Sequence, residues 1–247
     1  MNKIKNMYRD WNSRALTNAY HWVFSSKKDW DKEEYYRQGD EDIERIVLPF
    51  LNKQGLTNDR IKELDVLDIG CGTGRLSRAL AKHCKQVTGI DISDEMLKKA
   101  KEDNADINNI KFVLTNGSDL GAVDSNSLDF CFSYLVFQHI PRQSIIESYL
   151  NEIHRILKND GVALLQFRGY PGNPPGKALW FMGFKKFYIA FCLYRKTLPI
   201  LWIKKYGTVY GACFNQKQIK SILKKIGFTE VKTYMGNKKY LWTEIKK

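Results

Sequence analysis

Val66-Leu67-Asp68-Ile69-Gly70-Cys71-Gly72-Thr73-Gly74-Arg75 is the stretch on which the fold turns. It closes the apolar run Leu64 to Ile69, passes through three alternating glycines and enters a helical pattern from Arg75 to His83. That is a strand, a tight turn and a helix. Gln86 to Ile90 reads as a second strand closing on Asp91, and Ser93 as the N-cap of a helix over Asp94 to Lys101. Ile110 to Leu114 makes a third strand and Leu128 to Leu135 a fourth. A helix from about Gln143 to Leu157 precedes a fifth strand, Gly161 to Phe167. Strands alternating with helices at this spacing form a parallel sheet covered on both faces.

Upstream, residues 1 to 46 have a polar helical pattern anchored by aromatics such as Trp11, Tyr20 and Trp22. Downstream, Arg168 to Phe214 breaks the rhythm with Pro171, Pro174 and Pro175. Helix Gln216 to Ile226, with Gly227 as its C-cap, then leads to two strands near Glu230 to Tyr234 and Tyr240 to Ile245, joined by Gly236-Asn237. The expected fold is a Rossmann-like α/β domain over 1–247. It has a seven-stranded, mostly parallel sheet with a C-terminal antiparallel hairpin, a helical N-terminal cap (1–46) and a core (47–167). A helical insertion (168–214) follows strand five, and the helix and hairpin (215–247) end the chain.

A glycine turn between a parallel strand and a helix is expected to put bare backbone N–H groups at the carboxyl edge of the sheet, where such folds bind ligands. The spacing Gly70-x-Gly72-x-Gly74 is neither the dinucleotide fingerprint nor a P-loop. Asp91 ends the next strand 23 residues after Asp68, the separation at which a carboxylate meets the two ribose hydroxyls of a ligand lying across the first two strands. A nucleoside site is expected.

With Gly89-Ile90-Asp91-Ile92-Ser93, the glycine stretch resembles the class I S-adenosylmethionine (SAM)-dependent methyltransferases, in particular the small-molecule type of ubiquinone and menaquinone biosynthesis. Phe112 to Asp119, Ser127 to Ser133, Phe137-Gln138-His139-Ile140-Pro141 and Leu157 to Gly161 follow in the family's order. The resemblance implies SAM as cofactor, with Gly70, Gly72 and Gly74 against its methionine part and Asp68 at its amino group. It places Asp91 at the ribose and Ile92 and Met96 beside the adenine. Asn116, Gly117, Ser118 and Asp119 would read the adenine edge, with Asn116 where an aspartate is frequent. Ser133, Tyr134, Leu135 and Gln138 would line the methyl-transfer end.

A SAM methyl group is already activated, so a base helps only where the acceptor must lose a proton. His139 is the best placed of four histidines for that work, and packing of the loop is its alternative role; His21 and Tyr20 are weaker candidates. The stretch after strand four lacks the proline pair that clamps an exocyclic base amine, paired glutamates and a Pro-Cys nucleophile. Small molecules, lipid-linked compounds or sugars remain as acceptors, through O or N, with C-methylation open.

The chain carries a net charge of +13, yet residues 1–160 hold 23 basic and 25 acidic residues. Between Gly161 and Thr229 there are 12 Lys/Arg, no acidic residue, and 14 of the 32 aromatics. On a helix Trp180, Phe181, Phe184, Phe187, Tyr188, Phe191 and Tyr194 span an arc of roughly 140°. Core packing, an acceptor-pocket lid and a peripheral contact with an anionic membrane all fit such a face. RNA or protein as the methyl acceptor, held by the basic segment 161–229, is the alternative function, and SAM binding without transfer is a third reading. The five scattered cysteines have no C-x-x-C pair and fit reduced thiols, no metal site and a cytoplasmic protein. No run is apolar enough to span a membrane.

Overall fold

The computed structural model describes residues 3–169, 211–237 and 239–247. Most of the insertion lies outside these residues, including the Trp180–Tyr194 face, the turn Gly172 to Gly176 and Cys192.

Seven strands follow the path β3-β2-β1-β4-β5-β8-β7. They are β1 (Asp65–Ile69), β2 (Gln86–Asp91), β3 (Ile110–Leu114), β4 (Leu128–Ser133), β5 (Leu157–Gly169), β7 (Glu230–Asn237) and β8 (Tyr240–Lys246). β1 to β5 pair in parallel, whereas β8 is antiparallel to β5 and β7. The sheet is one strand larger than expected, because the two-residue β6 (Cys213–Phe214) lies parallel to the end of β5. Two residues carry no periodicity, so no sequence pattern marks them. The hairpin also differs: Gly236 and Asn237 continue β7, with a register shift between Met235 and Asn237, rather than forming the turn.

Strand alternation separates two cores, as expected for a sheet buried on both faces. Leu67, Ile69, Cys131, Ala163, Leu165 and Phe167 face α7 (Gln143–Ile156) and α8 (Gln216–Ile226). Val66, Phe130, Phe132, Val162 and Leu164 face α3 (Leu48–Lys53), α4 (Asn58–Ile61) and α5 (Arg75–Ala81). Helix ends follow their capping chemistry. Ser93 accepts from the Met96 N–H to start α6 (Asp94–Asp103), and Asn215 and Gln218 form a reciprocal capping box on α8, which Gly227 ends at φ 116°.

The N-terminal cap is tied to the glycine turn. α1 (Lys3–Val23) lies along α6: Tyr8 and Asn12 donate to Asp94, Ser93 donates to Asn12, and Tyr20 donates to Asp103 at 2.8 Å. It is broken at Asn18, whose side chain accepts from the His21 N–H and donates to the Lys28 carbonyl. α2 (Lys32–Asp42) meets the turn through the Tyr35 hydroxyl at Thr73 Oγ1, 2.7 Å, and the Tyr36 hydroxyl donating to the Thr73 carbonyl, 3.0 Å. A π-helical turn, Ile43–Val47, continues α2 into α3.

Candidate ligand site at the glycine turn

Cys71, Gly72, Thr73 and Gly74 carry β1 into α5, with Gly70, Gly72 and Gly74 at φ of 73°, 55° and 78°. The turn does not present the bare donors expected of it. The Gly70 and Cys71 N–H groups both donate to the Ile90 carbonyl, Gly72 N–H to the Asp91 carboxylate at 2.9 Å, and Gly74 N–H to the Cys71 carbonyl. The bonds from Gly70, Cys71 and Gly72 lace the turn to the end of β2, so backbone satisfaction has used these donors. What the glycines supply is proximity. A Cβ on Gly70 would stand 2.4 Å from a Val136 methyl, and one on Gly72 2.5 Å from a Val23 methyl.

Around the turn lies a cavity walled by Asp68, Arg75, Asp91, Ile92, Met96, Thr115, Tyr134, Leu135, Val136, His139 and Tyr149, among others, and roofed by Met7, Trp11, Trp22 and Val23 of α1. Its free space is about 90 Å³, well below the roughly 300 Å³ at the small end of ligand sites. α1 is closed on the turn, and the kink at Asn18 is the natural place for it to give.

Asp91 accepts from Ser93 N–H at 2.8 Å and Gly72 N–H at 2.9 Å. Burial raises its pKa, opposed by these backbone donors. Asp68 is 2% exposed and accepts from the Ser77 hydroxyl at 2.7 Å. Burial pushes its pKa up to about 6, against the Ser77 bond and the charge of Arg75. A folded-state pKa above the unfolded value of about 3.9 means that the native chain holds this proton more tightly, so stability from this group is present at low pH. It is lost as pH rises from about 4 to about 6, a cost on the order of 2–3 kcal/mol at neutral pH. Asp68→Asn is therefore expected to stabilise the ligand-free chain at pH 7 by about 1–2 kcal/mol and to flatten that pH dependence. Thermal unfolding across pH checks this; an unchanged profile would remove Asp68 as the source.

Arg75 is the site residue that motif reading missed. It is 2% exposed, its Nη1 donates to Asp42 Oδ2 at 2.8 Å, and its guanidinium lies 4.2 Å from the Phe24 ring centre. Its Nε–H is buried without a hydrogen-bond partner. The signal was a charged residue directly after the glycines, but its partner is 33 positions away and cannot be paired from local pattern.

The remaining expected residues divide in two. Ile92, Met96, Tyr134, Leu135 and His139 line the cavity. Leu135 stands at φ 63°, a rare value for leucine, with its N–H donated to Gln166 Oε1. Ser133 is buried and donates to the Ile69 carbonyl, joining β4 to β1. Gln138 donates through Nε2 to the Leu135 carbonyl and to His139 Nε2, 3.2 Å away. An amide nitrogen only donates, so His139 Nε2 accepts and the ring proton sits on Nδ1. Trp11 meets the His139 ring edge-on at 5.3 Å.

Asn116, Gly117, Ser118 and Asp119 do not line the cavity. The Asn116 oxygen accepts from the N–H groups of Ser118 and Asp119, an Asx turn that spends its polar atoms locally. Gly117, at φ 82°, lies against Ile92 and Ile4. Thr115, just upstream, takes the wall position instead. Of the weaker candidates, the Tyr20 ring stacks on Tyr35 at 4.4 Å, and His21 Nδ1–H donates to the Lys27 carbonyl. Cys71, Cys84 and Cys131 are free, buried thiols. Among the described residues no group of three or more His, Cys, Asp or Glu is placed to hold a metal, and no helix is long and apolar enough to cross a membrane.

The site's donor set fits SAM. A buried anion, Asp68, and a buried cation with a spare N–H, Arg75, flank the turn as an α-amino acid head requires. Asp91 suits a vicinal diol, and Ile92 with Met96 offers apolar surface for a base.

Residues 67–165 match the methyltransferase domain family model. A demethylmenaquinone methyltransferase of Staphylococcus aureus strain MRSA252 is 32% identical over 127 residues, covering 50% of this chain and 51% of the relative. The corresponding protein of strain JH9 is 29% identical over 178 residues, 69% and 70% of the two chains. The match to the first of these thus spans about half the length of the relative. Among solved structures, Haemonchus contortus phosphoethanolamine N-methyltransferase 2 in complex with S-adenosyl-L-methionine aligns with all of this chain and 60% of its own, at TM-score 0.64 and 18% identity. A SAM-dependent methyltransferase from Aquifex aeolicus aligns over 88% and 99%, at TM-score 0.53 and 16% identity. These structural likenesses concern the fold.

Proposed function

We propose that this chain, a class I SAM-dependent methyltransferase by its domain, transfers a methyl group to an O or N atom of a small-molecule acceptor. The observation that carries the reading is the closed cavity over the glycine turn, with Asp68, Arg75 and Asp91 on its wall. In this reading Arg75 and Asp68 hold the carboxylate and ammonium of the methionine part, Asp91 the ribose diol, and Ile92 and Met96 the adenine. Bound SAM supplies a methyl on a sulfonium, whose sulfur keeps the C–S electron pair when the acceptor's lone pair takes the carbon. The chain's own work is orientation and exclusion of water: α1 covers the site, and Tyr134 and Leu135 bound the end beyond the turn.

His139 is the proposed base. Its basic nitrogen is held by Gln138, so the loop presents a neutral ring that can take a proton once that bond is exchanged for the acceptor. His139→Ala is expected to lower kcat at least tenfold while SAM affinity changes less than threefold. Normal turnover would leave His139 a packing partner of Trp11. Names of relatives that act on demethylmenaquinone and phosphoethanolamine support a small acceptor over RNA or protein. Calorimetric titration with SAM and S-adenosylhomocysteine tests the donor half directly. Micromolar binding of both is expected, and no binding of either would remove the reading.

A further inference from the structure

Asp42 is one carboxylate between two guanidinium groups. It ends α2, and its Oδ2 accepts from Arg75 Nη1 at 2.8 Å while its Oδ1 accepts from Arg45 Nη2. The two arginines face different spaces. Arg75 is 2% exposed, on the wall of the cavity at the glycine turn. Arg45 stands three residues after Asp42, in the π-helical turn, with its side chain 66% exposed. It lines no part of that cavity and instead edges a separate groove with Lys53, Tyr134 and Trp242. Lys53 there has a carboxylate of its own, Glu244, at 2.7 Å. Among the described residues Arg45 pairs with Asp42 alone, and Arg75 holds the other oxygen of the same group.

The sharing leaves most of the Arg75 guanidinium unspent. Among the described residues it makes one hydrogen bond, from Nη1, and its Nε–H is buried without a partner. A guanidinium offers its donors in two pairs, Nη1 with Nη2 at the end and Nε with Nη2 along the side, and either pair matches the two oxygens of a carboxylate. The side pair is the one left open here. Asp42 would cover the end pair, Nη2 included, if both its oxygens were available, but Arg45 holds Oδ1.

We infer that Arg45 is a positioning residue for the donor: by holding one Asp42 oxygen it keeps Arg75 Nη2 free, so that Nε and Nη2 together receive the carboxylate of the methionine part. The inference rests on the proposed function for the identity of that carboxylate. Without Arg45 the released oxygen would turn onto Nη2, and the ligand would be left with the Nε–H alone. A second effect has the same sign. Two cations share one anion at Asp42, and the charge left over favours an incoming carboxylate. Asp68, the other carboxylate that feels the Arg75 charge, is matched in this reading by the ligand's ammonium.

The test is calorimetry on the full chain with S-adenosylhomocysteine and with its decarboxylated analogue, which lacks only the group in question; where the analogue is weak, its Kd is read by displacement. Wild type should favour S-adenosylhomocysteine by about fiftyfold or more, as two charge-assisted bonds imply. Two variants are read beside it, both at a mostly exposed side chain where folding tolerates change. Arg45→Met, which removes the charge, should shrink that preference at least fivefold with the analogue's Kd within twofold of wild type. Arg45→Lys, which can still hold one oxygen, should keep the preference within threefold of wild type. A merely structural role would weaken both ligands together and leave their ratio standing. An unchanged ratio in Arg45→Met, a loss shared by both ligands, or Arg45→Lys as impaired as Arg45→Met would overturn the inference. Wild type that binds both ligands equally would also overturn it, taking the carboxylate away from Arg75 while leaving the donor reading in place. Wild type that binds neither would remove the donor reading, and the inference with it.

Discussion

Asp91→Ala should raise the Kd for SAM by about a hundredfold or more, corresponding to the loss of two charge-assisted hydrogen bonds at about 1.5–3 kcal/mol each. The structure adds a second effect that spacing alone did not reveal. The same carboxylate receives the Gly72 and Ser93 N–H groups, so alanine also leaves the turn's donors without an acceptor and should cost about 1–3 kcal/mol of stability. Asp91→Asn keeps one acceptor oxygen and turns its NH2 on the other N–H, so only part of the stability should return while affinity stays poor. Calorimetry paired with thermal unfolding separates the two. SAM binding of wild-type strength in Asp91→Ala would take the ribose contact away from this residue.

The largest stability effect should come from Asp42, which does not itself line the cavity but holds Arg75, which does. Its two carboxylate oxygens hold Arg75 at 2.8 Å and Arg45, and its side chain is 8% exposed. Asp42→Ala would leave the Arg75 guanidinium buried against Phe24 with no anion, at a cost of about 3–5 kcal/mol. That is a large share of the roughly 5–15 kcal/mol that holds a typical domain together. At about 2–4 °C per kcal/mol for a chain of this size, Tm should fall by about 10 °C. The double variant Asp42→Ala/Arg75→Met removes both charges and should recover most of the loss. A double variant as unstable as the single one would mean that the pair is not what holds α2 to α5.

Legibility from sequence followed the range of the interactions involved. Strand β3, the Ser93 cap and the Gly227 terminus were readable because each depends on neighbours within a few positions: apolar spacing, one hydroxyl, one residue free of a Cβ. β5 begins at Leu157 rather than Gly161 because pairing with β4 extends it through residues whose local pattern says turn. The site divides the same way. Asp91 is given by its separation from Asp68, and Asp68, Ile92 and Met96 by the resemblance to the methyltransferase family. Arg75 depends on Asp42, and the roof on α1 crossing α6. Asn116, Ser118 and Asp119 lie at the right distance along the chain, yet their side chains are engaged with one another.

Val23 resting on Gly72 and Val136 on Gly70 have a consequence for time rather than affinity. A nucleoside-bearing molecule does not pass an isopropyl group seated on the backbone it must approach, so exchange should wait on α1, kinked at Asn18, lifting Val23 from Gly72. The observed association rate should then climb with SAM concentration only until it reaches the opening rate, and level off there. The spent donor leaves by the same door, so under saturating conditions the clock of this protein would be set by Val23 on the cavity roof, a side chain that takes part in no bond made or broken.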